Sequence, residues 1–291
     1  MTRLAVAGTL FAMHPAYLDA WLKQNTLEAI MPTSVQQLVA AFGRGPAEAA
    51  NPDPIREGAT AIVPIRGMIG PVGMGARTET NVLAERIRSL AADPKIGAIV
   101  LDIHSPGGYV FGTQEAGDAI YEARASKPVV AVANTYAYSA AHWLATQASA
   151  FFATPSGEVG SVGVRSGHVD QSGLEEKLGL KTTLIASHPD KIAGHSYGPL
   201  ADEDRAWLQA LVDEYNGNFV AAIARGRGIS VAQVANIHGT GKTFSATKAA
   251  ANGTIDGVMT LRDVVAKYSS SRARLSLMKR QAAVAEAMAG I

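Results

Sequence analysis

A nearly continuous apolar run at Ile96–Ile103, with the sequence IGAIVLDI, is the feature that most constrains how this chain can fold. The run is rich in β-branched residues, and strands that are apolar on both faces are typical of parallel sheets covered by helices on each side. The segment Pro128–Ala133 (PVVAVA) has the same character. Apolar residues recur with a helical period in Thr80–Ala92 and again in Val110–Ala125. This alternation of strands and helices predicts an α/β domain with a mostly parallel sheet.

The rest of the chain extends this pattern. Further strands are predicted at Ala59–Ile65, Ala150–Ala153 and Val159–Val164, and further helices at Ser139–Ala148, Asp202–Arg225, Ser230–Ile237 and Ser245–Asn252. Helical spacing also occurs near the start, at Ala16–Leu22 and Ser34–Phe42, ahead of a linker rich in glycine and proline. We therefore expect a helical N-terminal extension and linker at 1–58, the α/β domain at 59–268 and a basic, alanine-rich tail at 269–291.

Composition argues against several classes of function. The 26 basic and 25 acidic residues leave a net charge of +1, which does not suit a nucleic-acid binder or a polybasic membrane anchor. The chain has no cysteine, which excludes disulfides, zinc–thiolate sites and cysteine nucleophiles. The 7 histidines form no HExxH motif, and no apolar stretch reaches the roughly 20 residues that span a bilayer. We expect no metal, no cofactor, no nucleic acid and no stable membrane anchor.

The segment Asp102–Gly112 (DIHSPGGYVFG) connects a predicted strand to a predicted helix. Its two adjacent glycines allow backbone conformations that other residues avoid, and they expose amide groups that can hold a developing negative charge. A tight strand-to-helix turn explains the same pair without any functional role. The spacing does not match the GxGxxG motif of dinucleotide sites.

Ser139 lies at the start of a predicted alanine-rich helix, in the segment Asn134–Leu144 (NTYAYSAAHWL). A serine at this place is often a simple N-cap. The same place suits a nucleophile, because the N-terminus of a helix offers unpaired N–H groups and a positive dipole end that stabilise an oxyanion. Ala140 and Ala141 leave room for a substrate carbonyl to approach. Taken alone, the residue leaves both interpretations open.

A nucleophilic serine needs a base, and the sequence offers two kinds. For a Ser-His-Asp triad His168 is the better candidate, since His142 lies one helical turn after Ser139 and is expected to be structural. For a Ser-Lys dyad a lysine must lie in an apolar pocket, where burial lowers the pKa of an amine and frees it to accept a proton. The candidate lysines are Lys177 on a polar helix face, Lys181 at the start of a predicted strand, Lys191 in the irregular stretch SHPDKIAGHSYGPL, and the more distant Lys242.

Five segments occur in order at suitable spacing: DIHSPGG, YAYSAAHWLA, PSGEVGSVGV, DKIAGHSYGPLADEDR and GKTFSATKAAANGTIDG. Together they resemble the signal peptide peptidase A family of serine peptidases, within the ClpP/crotonase superfamily. The resemblance covers residues 59–265, and its specificity comes from the ordered set rather than from any one motif. The chain departs from the family pattern at Ala140-Ala141, where many members have Ser-Gly or Gly-Gly, and at Lys242, which replaces a common arginine.

The resemblance implies a ClpP/crotonase-like fold and a Ser-Lys dyad, with Ser139 as the nucleophile and Lys191 as the general base. It also implies that the backbone amides of Gly108 and Ala140 bind the oxyanion. ClpP-type triads have their histidine in the stretch that reads VGSVGV here, and this stretch contains no histidine. That absence disfavours a triad through His168.

Ser161 lies within the same stretch, in a strand that is expected to pass the dyad. A neutral lysine amine needs a hydrogen-bond partner to aim it at the serine, and the Ser161 hydroxyl is a candidate for that role. A small residue packed between two glycines accounts for Ser161 equally well.

The opening FAMHPAYLDAWL resembles that of phage and prophage capsid-assembly proteases of this family. This implies a prohead protease that cleaves scaffold or portal protein and acts as a homo-oligomer in the host cytoplasm or the prohead. The apolar stretch Leu4–Met13 resembles a short signal-peptide core. A single preceding positive charge and no small-residue cleavage site predict that the chain is not exported.

Three alternatives remain open. A host-type peptidase that degrades signal peptides or proteins would share the site. A crotonase-type acyl-CoA enzyme would share the fold and the oxyanion hole but would use carboxylates as acid and base, of which Glu115 is the nearest in sequence. A non-catalytic capsid-assembly protein would need no reactive serine.

Overall fold

The computed structural model describes residues 11–13, 51–74 and 76–270. The chain divides into two compact units. Of the described residues, Ala12–Met13, 51–163 and 218–270 belong to one unit, which we call the sheet unit. Phe11 and Val164–Gly217 belong to the other, which we call the insert unit. The predicted helices at Ala16–Leu22 and Ser34–Phe42 and the tail from 271 onward lie outside the described residues.

The sheet unit is built on an eight-stranded sheet in which most neighbouring strands are parallel. Its strands are β2 (Ile55–Glu57), β3 (Thr60–Arg66), β6 (Ala98–Ser105), β8 (Val129–Tyr138), β9 (Ala150–Ala153), β10 (Glu158–Gly160), β11 (Thr243–Ser245) and β12 (Gly257–Val258). The main path has the order β11-β10-β8-β6-β3-β2, and β9 joins β8 to β12. Only the pairings of β2 with β3 and of β10 with β11 are antiparallel among those described. The predicted α/β fold with a mostly parallel sheet is confirmed.

A second, four-stranded sheet has the order β1-β7-β4-β5. Its strands are β1 (Phe11–Met13), β4 (Ile69–Gly70), β5 (Thr78–Glu79) and β7 (Gly107–Tyr109). β4 is parallel to both β5 and β7. The sequence did not predict this sheet, because strands of two or three residues carry no periodic signal. The adjacent glycines of the first motif therefore lie in a strand, β7, and not only in a turn.

Helices cover both faces of the large sheet. The helices are α1 (Thr80–Ala92), α2 (Thr113–Ala123), α3 (Ala140–Thr146), α4 (Ser172–Lys177), α5 (Asp202–Arg227), α6 (Val231–His238), α7 (Ala246–Ala251) and α8 (Leu261–Ser270). Helix α1 packs on α2, α2 packs on α3, and α3 contacts β6, β7 and β8. On the opposite face Val264 and Val265 of α8 pack against Ile62, Val100 and Val130 of the sheet. This double coverage explains why the central strands are apolar on both sides.

The insert unit contains α4, a 3-10 helix at Pro189–Ile192 and the first part of α5. Its segments are joined by hydrogen bonds from the Gln171 amide to the Ser196 carbonyl (2.7 Å) and between His168 Nε2 and the His195 carbonyl (2.9 Å). The strand predicted to begin at Lys181 is absent, and residues 180–186 have no regular structure and are exposed. Across the described part of the chain, no helix is both long enough and apolar enough to cross a membrane.

Candidate active site

Ser139 occupies a sharp turn between β8 and α3. Its backbone has φ 53° and ψ −116°, in a region that residues other than glycine rarely adopt. Two hydrogen bonds hold the turn: the Ser139 amide donates to the Gly160 carbonyl, and the Trp143 amide donates to the Ser139 carbonyl, each at 2.8 Å. Backbone strain of this kind costs about 1–3 kcal/mol and clusters at functional sites. A strained strand-to-helix turn is also how α/β hydrolases present a nucleophilic serine.

The Ser139 hydroxyl is buried and unpaired. The residue is 1% exposed, and Oγ has no hydrogen-bond partner among the described residues. The side chain does not cap α3, so the simple N-cap interpretation is wrong. Because buried hydroxyls are nearly always hydrogen-bonded, an unpaired one indicates a reactive group or one that awaits a partner.

The two candidate oxyanion donors lie on elements that contact each other. Ala140 is the first residue of α3, and Gly108 is the middle residue of β7, against which α3 packs. Gly108 cannot be replaced, since a Cβ there would overlap the carbonyl oxygen of Ile69 on β4. The structure thus places Ser139, Ala140 and Gly108 on adjoining elements of the sheet unit.

The turn that leads into β7 is held by one serine. The Ser105 hydroxyl donates to the Gly67 carbonyl at 2.6 Å and accepts from the Gly107 amide at 3.2 Å. Gly107 has φ 95°, a value that favours glycine. The serine of the DIHSPGG motif is therefore a structural support, a role that sequence reasoning missed.

Ser161 is placed beside Ser139 by strand register. β10 runs parallel to β8, with Gly160 opposite Tyr138. The predicted strand at Val159–Val164 is wrong in its extent, because β10 ends at Gly160 and Ser161 is the first residue after it, just as Ser139 is the first residue after β8. Ser161 is 4% exposed and has φ 57°, and its amide donates to the Lys242 carbonyl at 2.9 Å. Two strained serines therefore stand next to each other at the carboxyl ends of neighbouring strands.

Lys191 lies in the insert unit, on the 3-10 helix at Pro189–Ile192. Its side chain is exposed and does not lie in the apolar pocket that the sequence argument required of a dyad lysine; its amide donates to the His188 carbonyl at 3.0 Å. The pairing of Lys191 with Ser139 stays a prediction. His168 lies in the same unit, with Nε2 engaged by a backbone carbonyl as described above.

His142, one turn after Ser139 on α3, is completely buried. Its Nε2 lies 3.0 Å from Nδ1 of His238, the last residue of α6. Burial, and then the neighbouring His238, hold the pKa of His142 well below its usual value. The expectation that His142 is structural is consistent with this burial, but its partner could not be found from sequence.

A polar and aromatic row crosses the carboxyl ends of the strands next to Ser139. The Tyr138 hydroxyl donates to the Glu158 carboxylate at 2.8 Å. The rings of Tyr136 and Tyr138 stack with their centroids 5.0 Å apart, and the centroids of the His104 and Tyr136 rings are 4.4 Å apart. Beside this row the Asp102 carboxylate forms an ion pair with Arg66 and accepts a hydrogen bond from the side-chain amide of Asn134. None of these contacts was predicted.

Comparison with known proteins decides the family. Residues 122–275 match Peptidase family S49. The chain belongs to peptidase family S49. The matched range includes Ser139, Ser161 and Lys191, whereas Gly108 precedes it. The predicted resemblance to this group of peptidases is confirmed.

Two curated relatives illustrate the similarity. Capsid assembly protease C of Escherichia phage lambda is 34% identical over 171 residues, which are 59% of this chain and 37% of that protein. A putative protease of Methanocaldococcus jannaschii is 30% identical over 192 residues, which are 66% of this chain and 60% of that protein. The chain therefore spans little more than a third of the length of the phage relative. Among solved structures, a ClpP1 mutant from Listeria monocytogenes overlaps with a TM-score of 0.42 at 16% identity, covering 69% of this chain and 92% of that one.

Proposed function

We propose that this protein is a serine endopeptidase in which Ser139 attacks the scissile carbonyl and Lys191 acts as the general base. One observation carries the proposal: a buried, unpaired serine hydroxyl at a strained turn that opens a helix, in a chain of peptidase family S49. A merely structural serine would satisfy its hydroxyl and would not need a backbone conformation that costs free energy.

The proposed reaction has two halves. The uncharged amine of Lys191 accepts the Ser139 hydroxyl proton as Oγ bonds to the carbonyl carbon, and the amides of Gly108 and Ala140 donate to the resulting oxyanion. The tetrahedral intermediate then expels the amine of the peptide, which takes the proton from the Lys191 ammonium. Water then gives a proton to Lys191 and attacks the acyl-enzyme carbonyl, and the Lys191 ammonium returns a proton to Ser139 Oγ as the acyl group leaves. No metal or cofactor enters these steps.

Ser161 is proposed to orient the base. Its position beside Ser139 in the strand register is what a hydroxyl that aims an amine at the nucleophile requires. The positive φ at Ser161 supports this role, because a packing residue at that place would more readily be glycine.

The physiological substrate is proposed to be a capsid protein. The phage lambda relative is named a capsid assembly protease, and the N-terminal segment resembles the opening of such enzymes. We propose that scaffold or portal protein is cleaved by a homo-oligomer of this chain, in the host cytoplasm or within the prohead. We also propose that the peptidase domain comprises residues 59–268, with β2 of the preceding segment pairing onto its first strand, β3.

A fluorophosphonate probe tests the function. We expect the purified protein to gain the mass of one probe at Ser139, located by peptide mapping, and to hydrolyse fluorescein-labelled β-casein. Ser139→Ala should lose both properties, whereas Ser156→Ala, which changes an exposed serine, should keep both. An unlabelled but folded protein, or one that turns over acyl-CoA thioesters instead of casein, would overturn the proposal.

A further inference from the structure

β7 carries the proposed oxyanion donor Gly108 and has two backbone edges. Along one edge runs β4, parallel to β7, with Ile69 opposite Gly108. Along the other edge lies β1, Phe11–Met13, which stands at the end of the sheet order β1-β7-β4-β5. Residues near the start of this same chain therefore occupy one edge of the strand that the proposed mechanism uses.

The β4 side of β7 is closed to any ligand. A Cβ on Gly108 would overlap the carbonyl oxygen of Ile69, and a Cβ on Gly70 would overlap the Tyr109 ring, so the two strands lie too close for anything to enter between them. The Ser105 hydroxyl also fixes the turn before β7 to the loop that precedes β4. An extended ligand can reach the backbone of β7 only along the edge that β1 occupies.

That edge is suited to a polypeptide substrate. Strand edges bind extended peptides through main-chain hydrogen bonds, which makes the binding tolerant of sequence. An endopeptidase must hold an extended segment with its scissile carbonyl close to the nucleophile and to the oxyanion donors. Since α3 begins directly after Ser139 and contacts β7, a peptide paired with β7 would pass beside the proposed nucleophile.

We propose that this edge of β7 is the peptide-binding edge and that Phe11–Met13 is an internal competitor which substrate must displace. The inference rests on the proposed function and adds a binding mode and a form of autoinhibition to it. We expect β1 to bind β7 weakly, because a strand of only 3 residues forms few backbone hydrogen bonds. Pro15, two residues beyond β1, has no N–H group and cannot extend the pairing. A longer substrate strand can therefore replace it.

Two proline substitutions in β1 test the proposal and control for each other. Successive residues of a strand direct their N–H groups to opposite sides, so only one of Ala12→Pro and Met13→Pro removes a donor to β7. Loss of one backbone hydrogen bond should weaken the competitor and lower KM for fluorescein-labelled β-casein by about two- to tenfold. The kcat value and the rate of fluorophosphonate labelling at Ser139 should stay unchanged, since the small probe does not need the strand edge.

A competition experiment supplies an independent readout. A synthetic peptide with the sequence GTLFAMHP, residues 8–15, should inhibit casein hydrolysis competitively, and more strongly in the variant with the lower KM. If neither proline variant lowers KM while thermal unfolding shows both to be folded, the competitor proposal is overturned. Failure of the unsubstituted protein to react with the fluorophosphonate would instead overturn the proposed function, so the two failures are distinguishable.

Discussion

The side chains of His142 and His238 form a hydrogen-bonded imidazole pair, 3.0 Å apart from Nε2 to Nδ1, with both residues completely buried. His142 lies on the helix that follows Ser139, and His238 ends α6. Burial lowers the pKa of both groups, and the positive charge of Arg227 adds to the effect. The charge of Arg227 is itself paired with Asp256 through two hydrogen bonds of 3.0 and 2.8 Å. The pair is therefore neutral at neutral pH and joins the two helices.

This pair should make the fold sensitive to acid. The pKa of His238 falls from 6.5 to about 4 in the folded chain, so the unfolded chain binds the proton first as the pH drops. The contribution of His238 to the free energy of unfolding should therefore be constant above pH 6.5 and decline between pH 6.5 and about 4. Thermal unfolding measured at half-unit intervals of pH would show the decline.

A double variant identifies the source of that decline. Glutamine at both positions, His142→Gln with His238→Gln, keeps hydrogen-bonding groups but cannot titrate in this range. Its decline between pH 6.5 and 4.5 should be smaller than that of the unsubstituted protein, and what remains comes from other groups such as His104, whose pKa is also lowered by burial. An undiminished slope in the double variant would assign the acid sensitivity to other groups and contradict the prediction.

A buried lysine, Lys127, ties the end of α1 to the loop that follows it. The residue is 3% exposed, and its ammonium donates to the backbone carbonyls of Leu90, Asp93 and Ile96 at 2.8, 2.8 and 2.9 Å. Lys127→Met should lower the free energy of unfolding by about 2–5 kcal/mol, because it leaves buried carbonyls without their donor. Urea denaturation measures this loss. The exposed neighbour Lys95 supplies the control, and Lys95→Met should change stability by less than about 0.5 kcal/mol; equal effects of the two variants would rule the interpretation out.

Sequence periodicity predicted the parts of the fold that are long and regular. The helix at Thr80–Ala92 and the strand at Ala150–Ala153 have the bounds that the pattern indicated, and Ser230 is the N-cap of α6, with a capping box. β8 extends to Tyr138, five residues past its predicted end at Ala133. Its last part gave no strand signal, and Thr135 there has φ 125°, yet residues 136–138 after it pair with β10.

The features that define the candidate site depend on tertiary contacts. The strain at Ser139 and Ser161 could not be predicted, because positive φ is usually signalled by glycine or asparagine and both positions hold serine. The partner of His142 lies 96 residues away along the chain, and no local pattern links the two. Family resemblance pointed to Ser139 and Lys191, and the need to orient the lysine amine pointed to Ser161, whereas the surroundings of these residues required the structure.

The identity of the base can be tested by substitution at Lys191. Lys191→Ala and Lys191→Arg should both abolish casein hydrolysis, since a guanidinium does not give up its proton at these pH values. His168→Ala should keep nearly full activity, because its Nε2 already contacts a backbone carbonyl of its own unit. The rate should rise with pH, since only an uncharged amine accepts the serine proton. Loss of activity on replacing His168, with activity kept after Lys191→Ala, would restore the triad.

The role of Ser161 can be separated from packing by comparing alanine and glycine. If its hydroxyl orients the base, Ser161→Ala and Ser161→Gly should both lower kcat by about 10–100-fold with little change in KM. Threonine is a poor control here, because a β-branched residue is disfavoured at φ 57°. If Ser161 has only a packing role, the two variants should instead differ in stability, because glycine relieves the positive φ at this position and alanine does not. Kinetics close to those of the unsubstituted protein in both variants would leave Ser161 without a part in catalysis.

The strain at Ser139 predicts a gain in stability when this serine, the proposed nucleophile, is replaced. Ser139→Ala removes the unpaired hydroxyl but keeps Cβ, so the variant should be inactive and at least as stable as the parent. Ser139→Gly also relieves the positive φ, worth about 1–3 kcal/mol, against a cost of about 0.5–1 kcal/mol for the added freedom of glycine when unfolded. The net gain should be about 1 kcal/mol, visible as a higher urea midpoint. Ser156→Gly, at a position without positive φ, should show no gain; a glycine variant at 139 that is less stable than the alanine variant would mean that the turn stores no strain.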